Sequence, residues 1–329
     1  MSQEGKEYLK TAVNLYLVLL LFILPLYMKN GYVMLGDAKY QFFRNVTLFF
    51  VPVTTILQVS ELLKTKKTES VKGIWSKSAC SGSAWLQTDM WVLFWALSGV
   101  LSWCLAEDKS MAWNGVSGWY MGLLSELLFV WIYFAVSRWY EGSKSVLYTF
   151  WVGAFLVITL GILHRYVYDP LNLWEGLDDW NIGHLLSTIG NQNWYCGYIS
   201  VASCVCFYHG YYGKGLKGAA GLLGSMLVFW TILTQGSEGG YLILLAQMLV
   251  LFLVSLENRG KLLRFLRVMI CCPAAVFLGL CCIRFRGLML VEDGTLKGII
   301  FWEMWPWIFG VLAVLLILLS IREKEVART

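Results

Sequence analysis

The feature that most constrains this chain is a series of apolar windows, each about 15–24 residues long, that recurs from one end to the other. Ten are readable: Thr11–Met28, Asn45–Leu63, Leu86–Leu105, Trp119–Ser137, Leu147–Leu163, Trp194–Tyr212, Ala219–Leu233, Gly239–Leu256, Phe265–Ile283 and Gly298–Ile321. A helix rises about 1.5 Å per residue, so windows of this length cross a hydrocarbon layer of roughly 30 Å. Hydrocarbon admits only elements that satisfy their own backbone polar groups. The expectation is therefore an all-α integral membrane protein, a bundle of about ten transmembrane helices forming a single polytopic domain over residues 1–329. The first window has no small-residue cleavage site after its apolar run and reads as a retained anchor. Composition agrees: 58% of the chain is hydrophobic and 14% charged, against about 25% charged in soluble domains. A water-soluble enzyme, a disordered chain and a disulfide-rich secreted domain are excluded on this ground.

Orientation follows from Lys and Arg. With the N-terminus in the cytoplasm, the outer segments hold Lys29, Lys39, Arg44, Lys109, Arg165, Arg284, Arg286 and Lys297, and the remaining 18 of 26 Lys and Arg fall inside. The densest inner segment is the basic loop 64–85. Both termini are thus expected in the cytoplasm, and the localisation is the cell membrane. Tryptophans near window ends, such as Trp85, Trp119 and Trp194, fit the aromatic belts of a bilayer. The net charge of +5 follows this asymmetry, so membrane lipids rather than nucleic acid are the expected partner. Eight of the nine cysteines lie in apolar windows, and with no CxxC pair and only three histidines no metal site is expected.

Polar chemistry collects in the outer segments. The longest, 164–193, holds His164, Arg165, Asp169, Glu175, Asp178, Asp179 and His184, and ends in Gly190-Asn191-Gln192-Asn193-Trp194. Gly190-Asn191 is turn chemistry, and Asn193 is suited to cap the following helix. The amides of Asn191, Gln192 and Asn193 both donate and accept, which suits sugar hydroxyls and phosphate oxygens. The next outer segment, Thr234–Tyr241, contains three glycines around Ser237 and Glu238, where backbone can approach a ligand closely. Glu126 is the carboxylate expected inside a span, about 10 Å below the surface when counted in helical steps from Trp119; such charges face a cavity or a partner. Arg44, Arg284 and Arg286 have guanidinium forks that match phosphate oxygens.

The run Gly190-Asn191-Gln192-Asn193-Trp194-Tyr195-Cys196-Gly197-Tyr198 resembles the Gly-Asn-Pro-Asn signature of the bacterial O-antigen ligase and O-antigen polymerase superfamily, and Thr234–Tyr241 resembles that family's Ser-Arg-Gly turn two spans later. The hydrophobic layout is similar over nearly the whole chain. The resemblance implies a membrane glycosyltransferase that needs neither metal nor cofactor. It would transfer or polymerise a glycan from an undecaprenyl pyrophosphate carrier on the outer face, with a glycan or glycolipid hydroxyl as acceptor. It implies a base, for which His184 and Glu126 are the candidates, and substrate-binding groups at Arg44, Arg165, Asn191, Gln192, Asn193, Ser237, Arg284 and Arg286. The chain departs from the pattern in having Gln192 for the proline, Glu238 for the arginine, and only a short segment from Arg286 to Gly298 where the family carries a large loop with a histidine. Two other readings follow: a shortened, non-catalytic paralogue in an envelope polysaccharide assembly complex, or a polysaccharide or lipid transporter. The charge asymmetry predicts that a fluorescent-protein fusion at Thr329 is fluorescent and that an alkaline-phosphatase fusion there is inactive; an active phosphatase reverses the orientation.

Overall fold

The computed structural model describes residues 3–68, 87–235, 237–286, 310, 311 and 314, with the side chains of 62, 64–68 and 283–286 outside the description. The helices are α1 (Gln3–Val18), which runs through a π-helical stretch, Leu19–Ile23, into α2 (Leu24–Leu26), then α3 (Leu35–Thr68), α4 (Gln87–Leu105), α5 (Lys109–Asn114), α6 (Leu123–Trp139), α7 (Lys144–Arg165), α8 (Asp179–His184), α9 (Gln192–Tyr212), α10 (Gly215–Thr234), α11 (Glu238–Ser255), α12 (Arg259–Met269) and α13 (Cys271–Arg286). A short antiparallel hairpin, β1 (Leu185–Leu186) with β2 (Gly190–Asn191), precedes α9. The chain divides into two units, Met1–Gly153 and Ala154–Thr329.

Among the described residues seven helical stretches are long and apolar enough to cross a membrane: Gln3–Leu26, Leu35–Glu61, Gln87–Leu105, Lys144–Arg165, Gly215–Thr234, Glu238–Ser255 and Arg259–Cys282. The protein is thus an all-α chain with the helices of a multi-pass membrane protein. Two further windows read from sequence are also helical. α6 has 17 residues and rises only about 25 Å; α9 has 21 residues but is rich in Tyr, Ser and Cys and is not among the seven. The window Gly298–Ile321 lies outside the described residues except for Gly310, Val311 and Val314, as does the basic loop 64–85 beyond Thr68, for α3 runs on through Lys64, Lys66 and Lys67. The window Phe265–Ile283 is not one helix. It is interrupted between Met269 and Cys271, with Ile270 as the joint; Pro273 follows, and its missing N–H and fixed φ disfavour an unbroken ladder there.

In the first unit, Leu9, Val13, Tyr16 and Leu17 of α1 are buried, the spacing of a single helix face. Val13, Tyr16 and Leu17 pack with Phe50 of α3 and Ala135 of α6. The Tyr16 ring lies 5.3 Å from Phe50 and 5.1 Å from Trp131, and its hydroxyl meets Thr47 Oγ1 at 2.9 Å. Pro25 breaks the backbone ladder at the end of α1–α2, and Lys39 Nζ donates to the carbonyls of Leu24 and Pro25 at 2.9 and 2.8 Å. That is the favourable place for a cation, at a helix C-terminus with unmatched carbonyls. α4 and α6 are tied at one end by Asp89, fully buried. It pairs with Arg138 at 2.7 Å and accepts from the Tyr133 hydroxyl at 2.8 Å.

In the second unit α9 and α10 form an antiparallel hairpin at near backbone contact. A Cβ on Gly221 would overlap the Gly210 amide, so that position needs a residue without a side chain, whereas a Cβ on Gly210 would stand 3.3 Å from Ser225 Oγ, a tight contact but not an overlap. Ser203 Oγ donates to Gln247 Oε1 at 2.7 Å, joining α9 to α11. Trp230 Nε1 donates to Tyr166 at 2.9 Å, whose hydroxyl donates to the Gly279 carbonyl at 3.2 Å. Burial pushes the Tyr166 phenol up to about 12, so it stays a donor at neutral pH.

Removing one partner of a buried ion pair strands the other. Asp89→Ala or Arg138→Met alone is expected to lower stability by about 3–5 kcal/mol, and the Asp89→Leu/Arg138→Met double variant by less than either single change. Denaturation of purified protein in detergent reads both; a loss in the double variant equal to the sum of the single losses refutes a coupled pair.

Candidate functional site

The polar loops of the second unit converge on one residue. α7 ends at Arg165, whose side chain is 2% exposed. A guanidinium out of water has to be surrounded by acceptors. Arg165 Nη1 donates to the Gly183 carbonyl at 3.0 Å, and Nη2 donates to Gln192 Oε1 at 3.3 Å and to the Gln235 carbonyl. These acceptors come from α8, from the first residue of α9 and from the end of α10, so one cation ties three segments that lie far apart in sequence.

The segment that leads to α9 is folded rather than an open loop. Asp178 caps α8 by accepting from the Asn181 amide at 2.8 Å. The hairpin then turns through Ser187, at φ +54°, and Gly190, at φ +93°; the second value belongs to glycine. Asn193 was the expected helix cap, but Asn191 fills that role, accepting from the Asn193 amide at 2.8 Å. The helix thus starts at Gln192, two residues earlier than the apolar pattern implied. Asn193, thereby freed, accepts from Ser237 Oγ at 2.8 Å. The Gly190–Asn193 and Thr234–Tyr241 segments are therefore bonded to each other directly, as well as through Arg165.

Beneath that contact lies Gln235, 1% exposed. Its Oε1 accepts from the Cys196 thiol and its Nε2 donates to the Ser237 carbonyl at 3.3 Å. Gly240 completes the floor: a Cβ there would overlap Gln235 Nε2 and stand 2.8 Å from Cys196 Sγ. The side-chain oxygens of Asn191, Gln192 and Asn193 thus face protein donors. Their amide N–H groups are what this rim offers a hydroxyl or an anion.

His184 sits in the last turn of α8, half-buried, with Nδ1 2.7 Å from the Trp180 carbonyl and its ring 4.1 Å from the Trp180 ring. A carbonyl only accepts, so Nδ1 carries the proton and the neutral ring bears its lone pair on Nε2. That is the tautomer a general base needs.

Glu126 is placed differently from the sequence reading. Residues Trp119–Met121 are not helical, Tyr120 has φ +50°, and α6 begins only at Leu123, which puts Glu126 in its first turn. The count from Trp119 assumed a helix that is not there; Glu126 lies about 4–5 Å along the helix. A carboxylate is favoured there by the free N–H groups of the helix start. It packs on α4, where a Cβ on Gly99 would overlap Glu126 Oε2. Arg44 Nε is 3.4 Å from Asn45 Oδ1 and its guanidinium lies 5.9 Å from the Tyr40 ring centroid. Arg44 and Glu126 belong to the first unit; Arg165, His184, Asn191, Gln192, Asn193 and Ser237 belong to the second. Arg284 and Arg286 close α13, and their side chains lie outside the described residues.

Sequence reasoning gave no role to His164, Asp169, Gln235 or Cys196. His164 is fully buried; the Ser187 amide donates to its Nδ1 at 3.1 Å, which leaves the proton on Nε2, 3.5 Å from Asp169 Oδ1. The carboxylate also accepts from the Trp174 amide at 2.7 Å and the Leu171 amide at 3.3 Å. The adjacency of His164 to Arg165, with an aspartate five residues on, was the available signal. Among the described residues no group of three or more His, Cys, Asp or Glu is placed to hold a metal.

No protein-family model, curated protein or solved structure matches the chain. Gly240→Ala is expected to cost about 1–3 kcal/mol by forcing Gln235 and Cys196 apart, while Gly239→Ala, whose Cβ would meet only Ser237 Oγ at 3.7 Å, is expected to be neutral or to stabilise by up to about 1 kcal/mol. Thermal unfolding of the two variants side by side checks this; equal losses would mean that the Gln235 floor is not tight.

Proposed function

We propose that this chain is an O-antigen ligase- or polymerase-like protein of the cell membrane, with ten spans and both termini cytoplasmic. In this reading it transfers or polymerises a glycan from an undecaprenyl pyrophosphate carrier on the outer face. The observation that carries it is the direct bonding of Gly190–Asn193 to Thr234–Tyr241 through Ser237–Asn193 and through Arg165. These are the two segments that bear the family resemblance, and a two-part site needs them together.

The chemistry is a displacement at the anomeric carbon. The acceptor oxygen forms the new bond while the bond to pyrophosphate breaks, with inversion. The acceptor proton passes to a base, His184 Nε2. The amide donors of Asn191, Gln192 and Asn193 orient sugar hydroxyls, and the pyrophosphate departs with the electron pair of the broken bond. Arg165 holds the rim in shape, since its guanidinium is already surrounded by protein acceptors.

That same engagement of Arg165, together with Glu238 in place of an arginine, favours a second reading, a relative that assists envelope polysaccharide assembly without catalysis. The two separate in one assay: purified protein, a lipid pyrophosphate-linked glycan, an acceptor glycan and no divalent metal. The expected result is transfer by the wild type and a fall of about 10²–10⁴-fold in His184→Ala, the usual worth of a general base. Full activity in His184→Ala removes His184 from the reaction. Absence of transfer by folded wild type overturns the enzyme reading and leaves the assembly role.

A further inference from the structure

The end of the second unit opposite the Arg165 cluster carries an excess of positive charge that the reaction does not use. The turn between α9 and α10 contributes Lys214 and Lys217; the start and body of α12 contribute Arg259, Lys261, Arg264 and Arg267. Against these six cations the segments 213–218 and 257–269 contain one carboxylate, Glu257, and it is paired with Lys261. The two segments are brought to one place by named contacts. Tyr211 and Ser255 share a hydrogen bond of 2.9 Å, joining the ends of α9 and α11. The Arg264 guanidinium lies 5.8 Å from the Tyr211 ring centroid and 5.7 Å from that of Tyr212, joining α12 to the end of α9. The Phe252 and Phe265 rings, 5.4 Å apart, close α11 against α12.

Lys214, Lys217 and Arg267 are exposed. Between and beside them stand apolar and aromatic groups turned outward: Leu216 at 87% exposure, Tyr208 at 58% and Tyr212 at 45%. A cationic cluster rimmed by tyrosine and leucine has two affinities at once. Its charges match phosphate, and its rings and alkyl groups favour the interfacial layer of a bilayer, where amphipathic rings collect. A soluble phosphate compound satisfies only the first. Arg264 differs from the other three in being held over two rings, so it keeps the patch in shape rather than reaching outward.

We infer that this basic end, centred on Lys214, Lys217 and Arg267 with Tyr208, Tyr212 and Leu216 as its apolar rim, is a binding site for the headgroup phosphate of anionic phospholipid. The site stands independently of the glycan reading, for it lies on other loops and involves no residue assigned there. Its occupation stabilises the α9–α12 end through binding to the folded state alone.

The test uses the full chain purified in a neutral detergent. Phosphatidylglycerol, phosphatidylcholine and glycerol 3-phosphate are titrated separately, with binding read by native mass spectrometry and by the shift in thermal unfolding. Phosphatidylglycerol is expected to bind and to raise the unfolding temperature, with phosphatidylcholine and glycerol 3-phosphate far weaker. Near a membrane surface each Lys or Arg contributes enough that losing three weakens anionic-lipid binding on the order of a hundredfold. Lys214→Gln/Lys217→Gln/Arg267→Gln is expected to show that loss. Lys214→Arg/Lys217→Arg/Arg267→Lys is expected to keep wild-type binding. A charge-matched control in the first unit, Lys6→Gln/Lys29→Gln/Lys144→Gln, is expected to bind as wild type does. Equal binding of the two phospholipids, unchanged binding in the first triple variant, or an equal loss in the control overturns the proposal. Glycerol 3-phosphate binding as strongly as the lipid reassigns the site to a free phosphate compound. Should the glutamine triple variant fail to fold, Lys214→Gln/Lys217→Gln alone decides, with a loss of more than about tenfold expected and no loss overturning the site.

Discussion

A guanidinium cannot lose its charge at any pH a protein meets, so wherever it is buried the surroundings must supply acceptors in its plane. In the second unit that requirement organises everything above the helices. Arg165 is met by a carbonyl from α8, a side-chain amide from the start of α9 and a carbonyl from the end of α10. Each of those acceptors is held by something further: Gly183 by the capped α8, Gln192 by the hairpin and the Asn191 cap, Gln235 by Cys196 and Ser237. Loss of the cation would leave a set of inward-facing acceptors with no donor, which costs more than any one of its hydrogen bonds contributes. The geometry of the Asn191–Asn193 rim rests on this one buried charge.

The first unit solves the same problem with opposite charges. Asp89 meets Arg138 and Tyr133, and Lys39 meets the carbonyls left open at the end of α2. In both units the charged groups serve helix ends, where backbone groups lack partners in any case. The apolar face of α1 then needs only to pack, and Tyr16 is the point where an apolar ring and a polar tip are both accommodated.

Helix positions were legible because lipid demands long apolar runs, and such runs survive in sequence as plain composition. Windows such as Leu86–Leu105, Leu147–Leu163 and Ala219–Leu233 lie on helices Gln87–Leu105, Lys144–Arg165 and Gly215–Thr234. What failed to show was whatever depends on one residue's backbone. The break at Ile270 sits inside an apolar window, where periodicity does not register it; Pro273 was its one local signal. The late start of α6 comes from Tyr120 and the glycines around it: a Cβ on Gly115 or Gly122 would overlap the backbone of the facing strand of the loop. This fold-back puts Glu126 in the first turn of α6 instead of two turns into a helix. At the site, Arg165, Gln192, Asn193 and Ser237 were legible as polar groups on one face. Gln235 and the His164–Asp169 pair were not, because a buried glutamine or histidine is distinguished by what surrounds it, and that comes from chain distant in sequence.

The close crossing of Gly210 and Gly221 bears on how the chain enters a bilayer. α9 is the least suited of the long helices to stand in hydrocarbon by itself, with Tyr195, Ser203 and Tyr211 facing inward. Its polar groups are matched by Thr231 of α10 and by Gln247 and Ser255 of α11, all of which are synthesised later. With backbones nearly touching at the glycines, α9 and α10 expose less polar surface as a pair than α9 does singly. For any machinery that passes helices into lipid, the α9–α10 hairpin is therefore a less costly unit to transfer than α9 by itself.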